Sequence, residues 1–193
     1  IADLGMKVVE AFAKNPNKQK GTGVQVSISC SSFIPKPFTP FQWEPEDSME
    51  SLKAKQAHLL ESIPTRKIKV SYHETPTSLL EGVLARGDRR LSSVIYDAFS
   101  NGCKFDSWDD QFKFDVWMNA FNKFNIDPLF YTQRKREFSE VLPWDHLDYG
   151  VSRKFLEKEN LKAHENKTTP HCRIKCSGCG ANRLNGGNCD ARG

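Results

Sequence analysis

"VQVSISC", residues 24–30, sets Val24, Val26, Ile28 and Cys30 on one side of an extended chain and Gln25, Ser27 and Ser29 on the other. That alternation predicts a β-strand with one strongly apolar face. A second stretch, "KIKVSYH" at 67–73, repeats it with Ile68, Val70 and Tyr72. Between them, "SSFIPKPFTPFQWEPED" carries four prolines and is excluded from regular structure. From Asp47, with Glu50 three residues on as a capping box, a helix is expected to about residue 63. Met49, Leu52, Gln56, Leu59 and Ile63 follow its period. Strand, helix, strand in that order predicts a βαβ unit with parallel strands and a right-handed crossover. The C-terminal ends of both strands, with the proline-rich loop and His73-Glu74, then share the edge where ligands bind in α/β sheets and barrels.

Working outward, "DLGMKVVEAFAK" at 3–14 spaces Leu4, Val8 and Phe12 along one helix face, and "NPNKQKGTG" ends that helix. Downstream, helices are expected over about 77–85, 90–101, 108–124 and 152–163. The third is read as core, because Trp108, Phe112, Phe114, Trp117, Phe121 and Phe124 recur at helical spacing. The last stretch, from Lys167, is too poor in large apolar side chains to build a core. The fold class expected is therefore α/β passing into α. Residues 1–75 form the α/β part, 76–165 a helical extension and 166–193 a Cys-rich tail.

The 193 residues are 38% hydrophobic and 27% charged, as in soluble globular proteins. The net charge of +4 is too mild to imply nucleic acid by itself. No apolar run reaches the roughly 18–20 residues that span a bilayer, and there is no basic-then-apolar leader pattern. Four of the six cysteines fall in the last 22 residues, which reads as a metal site in a reducing cytoplasm rather than a disulfide framework. The chain begins at Ile1 within a helical pattern, so a longer parent protein is expected.

The cluster is Cys172, Cys176, Cys179 and Cys189, the first three in "HCRIKCSGCG" spaced C-x3-C-x2-C. Four thiolates suit a tetrahedral zinc or an iron–sulfur cluster, and the intervening glycines permit tight turns. His171 is read as a neighbour of the site, and Cys30 and Cys103 as ordinary thiols. In the proline-rich loop, Phe33, Phe38, Phe41 and Trp43 are candidates to wall a substrate or cofactor cavity, with Lys36 and Gln42 as polar contacts. "ARGDRR" gathers Arg86, Asp88, Arg89 and Arg90, either as an internal charge network or as a site for an anionic substrate or RNA. His73 and the Asp145-His146 pair of "LPWDH" are candidate proton donors or acceptors. There is no Gly-rich phosphate loop, nucleophile elbow or HExxH.

Three blocks together, "SISCSSFIPKPFTPFQW", "SLLEGVLARGDRRLSSVIYDAFSNGCKFDSW" and "LPWDHLDYGVSRKFL" with "TTPHCRIKCSGCG", carry a family likeness. The chain resembles the C-terminal part of radical S-adenosylmethionine proteins of the cobalamin-binding-domain-containing Fe–S oxidoreductase group. The resemblance covers nearly the whole chain. It implies the end of a partial (β/α)6 barrel, TIM-barrel-like, with 24–30 as its last strand, then a helical extension and a cysteine cluster. It implies a 4Fe–4S cluster and S-adenosylmethionine in the full-length protein, with cobalamin a further candidate cofactor and an electron donor as partner. The motif for adenosylmethionine cleavage follows the first barrel strand in such proteins. Only 14 residues follow Cys179, so the catalytic cysteines are expected upstream and this chain alone is expected to be inactive. In the family a further cysteine follows the third; Asn182 stands there, which makes Cys189 the candidate fourth ligand. The competing expectation is a zinc-binding module in which Arg173, Lys175, Arg183 and Arg192 contact RNA phosphates.

Overall fold

β1 (Val26–Cys30) and β2 (Ile68–Tyr72) pair in parallel, with Val26 opposite Ile68 and Cys30 opposite Tyr72. This is the pairing expected from the two alternating stretches. A computed structural model describes residues 1–186 of the chain; Cys189 and Arg192 lie outside them. The described chain divides into two compact units. The first comprises Ile1–Ile34 and Asp47–Glu81; the second comprises Pro35–Glu46 and Gly82 onward. The proline-rich loop thus belongs to the second unit, a division that a linear cut at residue 75 does not convey.

In the first unit, Val26, Ile28 and Cys30 are half-buried while Ser27 and Ser29 are exposed; β2 alternates likewise, with Lys69 and Ser71 exposed. α1 (Ala2–Lys14) packs on the apolar face through Ala2, Gly5 and Val9, its buried residues. A Cβ on Gly5 would stand 2.9 Å from Ile28 Cδ1 and 3.2 Å from Ile68 Cδ1, so glycine sets how near the helix lies to the sheet. The Leu4–Val8–Phe12 stripe is not the buried face: Leu4 and Val8 are exposed. Close approach of backbone to sheet wins over the size of the side chains buried.

α2 (Met49–Glu61) starts one residue later than the Asp47–Glu50 pattern predicts. Ser48 is the N-cap, its Oγ accepting from the Ser51 amide at 3.1 Å. Gln56 Nε2 donates to the His73 carbonyl at 3.1 Å, tying α2 to the end of β2. α3 (Thr75–Arg86) follows β2 and runs from the first unit into the second. Within the first unit, Ser78 Oγ donates to Ser32 Oγ at 2.9 Å.

The second unit is helical. α4 (Leu91–Ser100) packs on α5 (Phe114–Lys123), burying Leu91, Val94 and Ala98 together with Trp117, Ala120 and Phe121. The helix expected over 108–124 begins only at Phe114. Residues 105–112 form turns of their own, in which the Phe112 amide donates back to the Trp108 carbonyl. Lys113, at φ −110° and ψ 74°, separates those turns from the helix. Trp117 and Phe121 are core as expected, but Trp108 is 60% exposed.

α6 (Pro128–Thr132) is capped by Asp127, whose Oδ1 accepts from the Leu129 amide at 2.9 Å. α7 (Arg153–His164) is capped by Ser152. A 3₁₀ turn, Ala181–Asn185, ends the described chain. A second apolar cluster joins Trp43, Leu142, Trp144 and Leu156, with Phe38, Phe138, Val151 and Phe155 around it. No helix among the described residues is long and apolar enough to cross a membrane.

Candidate functional site

At the C-terminal ends of the parallel strands, within the first unit, lies a cavity of about 630 Å³. Cys30, Phe33 and Tyr72 line one side and Leu52, Gln56 and Leu59 of α2 another. Of its charged lining residues, Lys55 and Asp47 pair with each other at 2.5 Å, and Asp3 adds a further carboxylate. The cavity lies at the strand ends and is mostly apolar; of the four loop aromatics expected to wall a cavity, Phe33 lines it and Phe38, Phe41 and Trp43 do not. His73 is exposed and outside its lining.

Three residues expected to face substrate stand instead inside the second unit. Trp43 is wholly buried, its ring edge-on to Phe138 at 4.8 Å between centroids. The Gln42 side-chain oxygen is fully used: Oε1 accepts from the Phe38 amide at 3.0 Å and from Trp144 Nε1 at 2.7 Å. Arg86 is wholly buried and donates to the carbonyls of Thr132 (3.4 Å) and Gln42 (3.3 Å). These contacts hold a proline-rich segment that would otherwise run on the surface. α7 fastens it further, through Asn160 Nδ2 to the Pro40 carbonyl at 2.9 Å and to Glu44 Oε1 at 2.8 Å. Lys36 is exposed.

The structure brings "ARGDRR" and "LPWDH" to one cleft. Two cavities, of about 480 and 680 Å³, share Gly87, Pro143 and His146 as lining. The smaller is walled by Phe38, Trp144, Leu147 and Tyr149; the larger by Asp88, Arg89, Asp145 and His146.

Each carboxylate in the larger one is already engaged. Asp88 accepts from the Arg90 amide at 2.9 Å and from Arg90 Nη2 at 2.7 Å, and these bonds hold its carboxyl below the usual range. Asp145 Oδ2 accepts from the Leu142 amide at 2.8 Å and pairs with Arg153 Nη1 at 2.5 Å. Arg153 also donates from Nη2 to the carbonyls of Phe138 (2.6 Å) and Glu140 (2.8 Å), so one side chain of α7 shapes the whole 138–145 wall. A separate fork joins Arg134 to Glu140 at 2.7 and 2.6 Å; it lowers the Glu140 carboxyl and raises Arg134.

Cys172 and Cys176 are exposed and Cys179 half-buried, all three as free thiols. The Cys179 carbonyl accepts from the Ser152 amide at 2.8 Å. Gly178 (φ 71°) and Gly180 (φ 94°) take the left-handed conformation that the turn requires. A Cβ on Gly180 would meet the Gly150 carbonyl at 2.9 Å. Among the described residues, no three His, Cys, Asp or Glu side chains are gathered as a metal site. The thiolate set suits zinc or iron by its chemistry, but its described members are not drawn together; the fourth candidate, Cys189, lies outside the described residues. Cys103 is buried, which pushes its thiol up and fits an inert core thiol.

Tyr149 is the cleft residue that sequence reasoning misses. Nothing in its neighbourhood signals that it stacks on Phe38, at 4.0 Å between ring centroids. Comparison with known proteins returns no matching family model, curated protein or solved structure.

Proposed function

We propose that this chain is the C-terminal part of a radical S-adenosylmethionine protein, contributing the end of a parallel barrel, a helical extension and a thiolate-bearing tail. The observation that carries the reading is the parallel β1–β2 pair, with α1 on its apolar face and Ser27, Ser29, Lys69 and Ser71 exposed on the other. A barrel strand has this division: helices outside, a different set of side chains inside. Parallel strands are ordinarily part of larger sheets covered by crossover helices, and among the described residues each of these two strands presents an unpaired outer edge. The three sequence blocks that carry the family likeness support the same reading.

In the full-length protein, a bound iron–sulfur cluster would supply the electron that cleaves S-adenosylmethionine, with its ligands upstream of Ile1. The residues of this chain would close and shape the far end of the barrel. Cys172, Cys176 and Cys179, with Cys189, would take a separate thiophilic metal, either zinc or an iron–sulfur cluster.

Sequencing the coding region that precedes Ile1 tests the reading. A C-x3-C-x2-C motif after a predicted strand is expected there, and its absence would overturn the assignment. The competing reading, a zinc-dependent RNA-binding tail, draws on the exposure of Arg173 and Lys175 beside Cys172 and Cys176. It predicts a colourless zinc protein with salt-dependent RNA binding. The favoured reading predicts an oxygen-sensitive brown full-length protein.

A further inference from the structure

The cleft between the C-terminal end of α3 with the 87–89 turn and the 143–149 loop has two chambers of opposite character, and Gly87, Pro143 and His146 belong to both. The smaller is apolar and aromatic, with Phe38 and Tyr149 stacked at an interplanar angle of 23°. The larger is charged, and its charges do not cancel. Asp88 is taken by Arg90 and Asp145 by Arg153. Arg89 and His146 are exposed, and neither side chain has a hydrogen bond or ion pair among the described residues. The surplus in the charged chamber is therefore cationic.

We infer that this cleft binds a small planar aromatic ligand carrying a phosphate, of nucleoside monophosphate size, with its ring against Tyr149 and its anionic head between Arg89 and His146. A guanidinium fork matches phosphate oxygens, and an imidazole adds a donor beside it. An aromatic ring gains from stacking on an exposed tyrosine that a second ring already holds in place. The two volumes fall within the ordinary range for ligand sites. Phe38 sits at φ 59°, its backbone N–H donating a hydrogen bond to Gln42 Oε1, a costly backbone state of the kind found at binding sites. The inference stands apart from the radical chemistry proposed above, because it concerns the second unit and needs no cluster.

Calorimetric titration of the whole 193-residue chain with AMP, adenosine and inorganic phosphate tests it. AMP is expected to bind with saturation and more tightly than either part. Arg89→Gln should weaken AMP roughly tenfold or more and leave adenosine unchanged. Tyr149→Ala should weaken both. All the side chains changed are exposed, so circular dichroism should show the variants folded as the parent is. His146→Gln should act like Arg89→Gln, in smaller measure. No saturable AMP binding by the folded parent would overturn the inference. Equal affinity of parent and Arg89→Gln for AMP would overturn it as well. So would a short single-stranded RNA that binds far more tightly than AMP through the same residues, by making the cleft a polynucleotide site.

Discussion

Gln42 shows how one polar residue fixes a proline-rich segment. Its Oε1 is the acceptor for both the Phe38 amide and Trp144 Nε1, in surroundings almost closed to water. Gln42→Ala strands both donors, and an unsatisfied buried donor costs about 1–3 kcal/mol. Urea unfolding should therefore show a loss of about 2–4 kcal/mol; a loss under about 1 kcal/mol would contradict the assigned role. The sequence showed Gln42 and Trp43 as loop residues among prolines, and loops ordinarily lie at the surface. Their burial depends on Asn160, Trp144 and Phe138, each roughly a hundred residues away in sequence, so no local pattern announces it.

Glu140 gives a pH dependence whose sign follows from its partner. The Arg134 fork lowers its folded pKa below the ordinary carboxylate value. Its contribution is complete above the unfolded-state value and is lost as pH falls through the folded one. Both side chains are about one-third exposed, at 34% and 31%, so solvent screening keeps the pair at or below about 1 kcal/mol. Chemical denaturation from about pH 6 down to about pH 3 should show the parent losing more stability than Glu140→Gln. Parallel curves would contradict the pairing.

At the scale of elements, strand and helix identity was legible where period and caps agree. β1, α2 and β2 each combine a clear alternation or repeat with a breaker at both ends, and the structure places them within two residues of the expected bounds. α5 shows the opposite case. Its aromatic period continues upstream through Phe112 and Trp108, yet the backbone turns away at Lys113, because periodicity records side-chain type and not backbone continuity. α1 adds a different lesson: Leu4 and Val8 of its apolar stripe are exposed, and Gly5 lies on the face that packs.

The cleft was half-legible. Both charged motifs stood out by composition, but Gly87–Arg89 and Pro143–His146 meet only through tertiary structure. The element that holds their wall is the start of α7. Arg153→Met keeps the helix and much of the side-chain volume but removes donors to Asp145, Phe138 and Glu140. Stability should fall by about 2–3 kcal/mol, since these are charge-assisted bonds, partly solvated. Limited proteolysis should then cut within 138–147 while the parent resists. Unchanged cleavage would show that the wall stands without this clamp.

At the scale of the molecule, the two units differ in what holds them. The buried apolar residues of the first are Ala2, Val9, Ile34, Leu52, Ile68, Leu79 and Leu80. The second buries Trp43, Trp117, Trp144, Phe121 and Tyr131 among others, and aromatic side chains carry the larger share of burial energy. A two-stranded sheet is marginal by itself. Amide exchange should therefore be faster in 26–30 and 68–72 than in α5 and α7. Equal protection would mean that the first unit is self-sufficient, which weakens the reading of it as part of a larger barrel.

That reading is the centre of the account, and one assay addresses it directly. The full-length polypeptide, including whatever precedes Ile1, is reconstituted anaerobically with iron and sulfide, reduced, and given S-adenosylmethionine. Formation of 5′-deoxyadenosine and methionine by the full-length protein, and not by this chain alone, is the predicted result. A reconstituted, cluster-bearing full-length protein that leaves S-adenosylmethionine intact, or this chain cleaving it unaided, would contradict the account.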